Sequence, residues 1–166
     1  MIKIAIAALM TLGFAINAIA EESLSGGSLV SAQSRQNGVQ NSALGFTVIA
    51  SIRPTEYYGY EFQLGMFGES GPFKESALID GAVVGMFPLG DSGFKLYGKA
   101  GVADVFSQSF RVSANNLGFT YGAGVEFKKN KTALRIGFQH YTVGNDSLSP
   151  SLSTNLIGIA IMTHPE

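Results

Sequence analysis

With 166 residues, 46% of them hydrophobic and only 14% charged, the chain carries a net charge of −1 and no cysteine. The missing cysteines exclude a disulfide framework and a lipid-attachment thiol. The low, balanced charge, with nothing basic clustered beyond Lys128-Lys129-Asn130-Lys131, excludes the basic stripe of a nucleic-acid binder. Its 21 glycines and 11% aromatics, without tryptophan, suit many closely packed strands joined by turns.

The first residues read as an export signal: a positive charge at Lys3, an apolar run over residues 4–14, and the small-residue site Ala18-Ile19-Ala20 ahead of Glu21-Glu22. Cleavage is expected after Ala20, because the apolar run falls short of the ~20 residues that a membrane-spanning helix needs. Residues 21–166 then form one domain. They contain no apolar run near the ~18 residues of a helical span, so a chain that crosses a membrane here must do so as a closed barrel.

Eight strands are expected, over residues 24–34, 44–52, 58–67, 77–87, 93–103, 117–127, 132–143 and 155–163. Strand one carries little apolar support beyond Leu29, Val30 and Ala32. Strand two alternates, with Leu44, Phe46, Val48, Ala50 and Ile52 on one face and Gly45, Thr47 and Ser51 on the other, Ile49 breaking the polar side. In strand three, Tyr60, Phe62, Leu64 and Met66 oppose Glu61, Gln63 and Gly65. Strand four is apolar on both faces, Asp80 being its one charge. Strand five sets Phe94, Leu96, Ala100 and Val102 against Lys95, Tyr97, Lys99 and Gly101.

The last three strands state the pattern most clearly. Leu117, Phe119, Tyr121, Val125 and Phe127 share one side of strand six, with Thr120, Gly122, Gly124 and Glu126 on the other. Strand seven places Leu134, Ile136 and Phe138 opposite Arg135, Gly137, Gln139 and Tyr141, and strand eight places Ile157, Ile159 and Ile161 opposite Gly158 and Ala160. Side chains alternate across a strand, so bulky apolar groups on one face and glycines with charges on the other make a sheet with an apolar outside and a polar, crowded inside. A soluble lipocalin-like barrel would be the reverse. The sequence therefore predicts an all-β fold: an eight-stranded antiparallel up-and-down transmembrane β-barrel.

The links support that layout. Arg53-Pro54-Thr55-Glu56-Tyr57, Pro88-Leu89-Gly90-Asp91-Ser92 and Lys128-Lys129-Asn130-Lys131 are short, whereas residues 35–43, 68–76, 104–116 and 144–154 form longer polar segments. Short turns on one side and long loops on the other are the arrangement of an outer-membrane barrel, with turns in the periplasm and loops outside.

The segments Phe94-Lys95-Leu96-Tyr97-Gly98-Lys99-Ala100-Gly101, Tyr121-Gly122-Ala123-Gly124-Val125-Glu126-Phe127, Leu134-Arg135-Ile136-Gly137-Phe138 and Asn155-Leu156-Ile157-Gly158-Ile159 resemble, in order and spacing, the eight-stranded membrane domain of the OmpA-like outer-membrane proteins. The resemblance covers most of residues 44–163. It implies a lumen crossed by a charged network, whose members here would be Glu61, Lys99, Glu126 and Arg135. Val84 stands where the family often has a lysine late in strand four, leaving two acids and two bases. The resemblance also implies an outer-membrane address, surrounding outer-membrane lipid and insertion by the barrel-assembly machinery. The family commonly ends on an aromatic that this machinery reads, and here strand eight runs into His164-Pro165-Glu166. No domain of the peptidoglycan-binding kind follows, so anchoring to the cell wall is not expected.

Four inward ionisable groups in a barrel surrounded by lipid require mutual pairing. They are read as a static plug, since an eight-stranded interior is only just wide enough for its own side chains, with a gate that opens a narrow small-solute path when pairs exchange partners as the alternative. His140-Tyr141-Thr142 resembles the His-x-Ser element of the lipid A deacylases, also eight-stranded barrels, and His140 and Thr142 share the outward face. Thr142 replaces the serine, the Asn-Ala-Gly that follows it there is absent, and the expected acid falls at about Thr154. A histidine without an orienting acid is a poor general base, so no catalytic residue is assigned, His140 and Thr142 being the alternative. His140 and His164 lie far apart with no Cys or carboxylate at ligand spacing, which argues against a metal site. No cofactor is expected. The chain reads as a monomeric outer-membrane barrel with a structural or loop-mediated interaction role, its Ser-, Asn- and Gly-rich loops carrying no signature of a particular ligand.

Overall fold

In the computed structural model, each alternating run forms a strand. The structure describes residues 22–36, 39–68, 76–107, 117–143 and 152–164. The export signal and its cleavage site lie outside the described residues. The strands are β1 (Glu22–Gln36), β2 (Val39–Arg53), β3 (Tyr58–Phe67), β4 (Ser76–Pro88), β5 (Phe94–Ser107), β6 (Leu117–Lys129), β7 (Thr132–Val143) and β8 (Leu152–Thr163). Neighbours in sequence pair antiparallel, and β1 closes on β8 to complete the barrel. Closure leaves no sheet edge, so the ladders satisfy the wall's backbone groups without water.

β1 is the strand with least apolar support, yet it pairs along its length with β2 and, from Ser25↔Thr163 to Arg35↔Ser153, with β8. Its small residues have a geometric reason. A Cβ on Gly26 would run into the backbone of Ile161 and Met162, so the seam closes tightly only without a side chain there.

The long loop expected over residues 35–43 is corrected. β1 and β2 continue through it, with Arg35↔Gln40 and Gln36↔Val39 paired, leaving two residues between the strands. Backbone pairing does not depend on side-chain polarity, so the ladder extends past the apolar band. β5 likewise runs on to Ser107, past its expected end.

The short links are tight. Gly90–Ser92 forms a single 3-10 turn that ends on Gly93 at φ 79°, and Asn130 sits at φ 55° between β6 and β7. Both conformations are costly for most side chains and accessible to Gly and Asn.

Orientation follows the alternation. Ile136 is 54% exposed and Leu64 49%, whereas Glu61 is 1% and Arg135 3% exposed. Bulky hydrocarbon thus faces outward and charge faces inward. Ile52 departs from its expected outward exposure: at 6% it is buried, flanked by its cross-strand partners Ser23 and Tyr60. Two apolar clusters pack beside the polar network in the lumen. Leu24, Ile49, Ala133, Ala160 and Met162 pack towards the short-turn end. Ala32, Leu78, Ala103 and Tyr141, joined by Ala43 and Phe67, pack towards the loop end.

Candidate functional site

The inward parity of β3, β5, β6 and β7 brings the four expected lumen residues into one network. Glu126 receives Arg135 Nε at 2.7 Å, and the Arg135 guanidinium also donates to Glu61. Glu61 in turn accepts from Lys99 Nζ at 2.7 Å, and Lys99 donates to Gln63 Oε1 at 3.1 Å. Arg135 further lies over the Tyr97 ring, 4.6 Å from its centroid. The Tyr97 ring fits because Gly124 and Gly137 face it: a Cβ on either would collide with its hydroxyl.

Sequence reasoning missed four further charged members, Arg53, Glu22, Lys128 and Asp80. Arg53 grips Glu126 with both ends of its guanidinium, Nη1 to Oε1 at 2.8 Å and Nη2 to Oε2 at 2.5 Å. It also reaches Glu22 at 3.1 Å, and Glu22 pairs with Lys128 at the rim. Asp80 heads a second tier towards the loops, accepting from Tyr141 Oη at 2.7 Å and Gln139 Nε2 at 2.9 Å, while Gln139 also donates to Thr120 at 2.9 Å. Continuing the alternation of β2 past Ser51 to Arg53 was the signal for the first; Asp80 stood on an inward position among apolar neighbours.

Among the described residues, Arg53, Lys99 and Arg135 balance Glu61, Asp80 and Glu126 in the buried lumen. Such balance is required, because an unpaired charge in a lipid-surrounded interior costs several kcal/mol. Val84, in place of the family lysine, is 1% exposed and packs inward as hydrocarbon. Between the tiers lies a cavity of about 40 Å³ lined by Glu61, Lys99, Arg135 and Gln139. That suffices for buried water and for little more.

The outer wall carries a second constellation. His140 Nδ1 is 2.7 Å from Asn155 Oδ1, and Nε2 is 3.0 Å from Thr142 Oγ1. Tyr121 lies against the imidazole, with ring centroids 4.9 Å apart. Asn155 is the direct cross-strand partner of His140. The position expected near Thr154 is therefore taken by Asn155, an amide. A neutral amide can orient an imidazole but does not stabilise its cation as a carboxylate does.

Among the described residues no group of three His, Cys, Asp or Glu side chains is placed to hold a metal.

A closed eight-stranded barrel with an apolar exterior and an ion-paired lumen defines a class, the small outer-membrane barrels. The chain belongs to the outer membrane protein beta-barrel domain family, whose model matches residues 6–162. Membership gives it an outer-membrane location. No curated protein matches the chain. Among solved structures, Neisserial surface protein A superposes with a TM-score of 0.69 at 10% identity, covering 85% of this chain and 96% of that one. The N-terminal barrel of Pseudomonas aeruginosa OprF gives 0.56 at 12%, covering 85% and 97%. The Yersinia pestis attachment invasion locus protein Ail gives 0.51 at 13%, covering 85% and 99%. At these identities the likeness is one of fold.

Proposed function

We propose that the protein is a monomeric, non-catalytic outer-membrane barrel whose lumen is held shut and whose role is structural or is exercised through its external loops. The observation that carries this reading is the filled interior. Arg53 and Arg135 share Glu126, Arg135 and Lys99 share Glu61, and two apolar clusters pack beside them. Opening a path would separate several buried ion pairs at once, and an eight-stranded interior barely accommodates its own side chains. Outer-membrane lipid, the insertion machinery during biogenesis and a loop ligand are the proposed partners. In planar bilayers the wild type should show no unitary conductance, and Glu126→Ala should be equally silent. Discrete wild-type steps that change on Glu126→Ala would make the network a gate and defeat the plug.

The Thr142–His140–Asn155 chain favours a second reading, an acyl hydrolase acting at the outer wall. Asn155 would orient the imidazole and His140 would take the proton of Thr142. The neutral amide weighs against it. So does the placement of Thr142 between Phe119 and Ser153, where its flanking backbone is engaged in the ladders and offers no oxyanion donors. Purified protein should release no fatty acid from lipid A; turnover abolished by His140→Ala would establish the enzyme.

A further inference from the structure

We propose that the outer wall holds a seat for one acyl chain of an outer-membrane lipid, crossing β2 to β6 obliquely with its polar end towards the Thr142–His140–Asn155 cluster. The proposal rests on the chain being an outer-membrane barrel and is independent of lumen closure and of catalysis.

A depression of about 310 Å³ lies on the lipid-facing side. That is the lower end of the ~300–1,000 Å³ range of small-molecule sites. Strand register explains it. Ala50, Phe62, Gly81 and Val102 are successive cross-strand partners on the outward face, and two of the four carry little or no side chain. The adjacent outward row, Val48, Leu64 and Ile79, forms one bank and continues to Asp104 and Leu117. The dip therefore follows the hydrogen-bond direction over four strand spacings of ~4.8 Å, about 19 Å in all. Because the strands tilt, that direction climbs: Ala50 lies near the short-turn end of β2, and Leu117 is the outermost residue of β6.

The same row leads to polar ground. Val102 pairs with Phe119, and Phe119 with Thr142, whose hydroxyl meets His140. An extended hydrocarbon in the dip would thus carry its ester towards the hydrogen-bonding groups of Thr142, His140 and Asn155. A lipid chain also suits the shape better than a second barrel would. Two convex walls touch along a line, whereas a flexible chain follows a narrow oblique dip and gains dispersion contact along its length.

Gly81 supplies the test. A Cβ there meets only the Phe62 ring, at 3.6 Å, an ordinary contact, so Gly81→Leu should fold and fill the dip. The refolded barrel in detergent micelles is titrated with dipalmitoyl phosphatidylethanolamine and observed by native mass spectrometry. One lipid should bind to the wild type and to Val125→Leu, an outward control away from the dip. Gly81→Leu should bind it about tenfold more weakly, equivalent to ~1.4 kcal/mol. Equal binding to all three, or a lipid-free dimer that Gly81→Leu disperses, overturns the proposal. In the nuclear magnetic resonance spectrum, a nitroxide near the ester should broaden Thr142 and Phe119, and one near the chain methyl should broaden Ala50. The opposite order refutes the orientation.

Discussion

Arg135 is the most informative residue to perturb, because it joins both carboxylates of the lower lumen. Replacing it with Met removes the bond from Nε to Glu126, the pair with Glu61 and the stack on Tyr97. Breaking one partner out of a buried ion pair costs about 3–5 kcal/mol. Here Glu61 keeps Lys99 and Glu126 keeps Arg53, so neither acid is stranded and the expected loss is about 3 kcal/mol. Glu126→Gln alone leaves Arg53 with Glu22 as its remaining acid, at the rim, and should also cost about 3 kcal/mol. Combined, the two changes restore charge balance. The double variant should therefore lose less than the sum of the singles, with a coupling of about 2–3 kcal/mol. Urea titration of the barrel folded in phospholipid vesicles, followed by the gel mobility of unboiled samples, gives the four stabilities of the cycle. Additivity to within ~0.5 kcal/mol would show that the groups do not share one electrostatic network and would refute the reasoning.

Other expectations follow from the wall and the seams. Ile136→Arg puts a charge against acyl chains and should cost about 2–4 kcal/mol if the residue lies near the midplane. Gln139→Ala, on the lumen side, should cost only about 1 kcal/mol in the same titration, since Asp80 keeps Tyr141; equal penalties would contradict the face assignment. A Cβ on Gly101 would collide with the backbone of Gly81 and Ala82, so Gly101→Val should lose about 1–3 kcal/mol or more, read as a reduced folded fraction on refolding. Protein from washed outer membranes should migrate differently before and after boiling, and identical migration would argue against a detergent-resistant barrel.

Much of this architecture was legible because a strand's period of two is rigid: once Ile136 faces lipid, Arg135 must face the lumen. The same logic placed Glu61, Lys99 and Glu126. It stopped short at Arg53, which was read as part of the turn with Pro54 although the alternation from Thr47 and Ser51 runs through it. The loop expected over residues 35–43 failed for a related reason. Polarity marks where lipid ends, not where pairing ends, and Asn37-Gly38, a sequence pair favoured in tight hairpins, was the better sign. Asn155 was invisible to linear spacing. Its position opposite His140 depends on the β7–β8 register, which packing of both faces determines and no local motif records.

The seam between β1 and β8 has a consequence for biogenesis. Every other ladder joins neighbours in sequence, but this one joins residues separated by nearly the whole described chain. The wall stays open along one line until the final strand has been made and delivered. Until then it exposes unpaired backbone, which hydrocarbon does not solvate. Unaided insertion before β8 arrives is therefore disfavoured, and the slow step should be the meeting of the two ends rather than the formation of any hairpin.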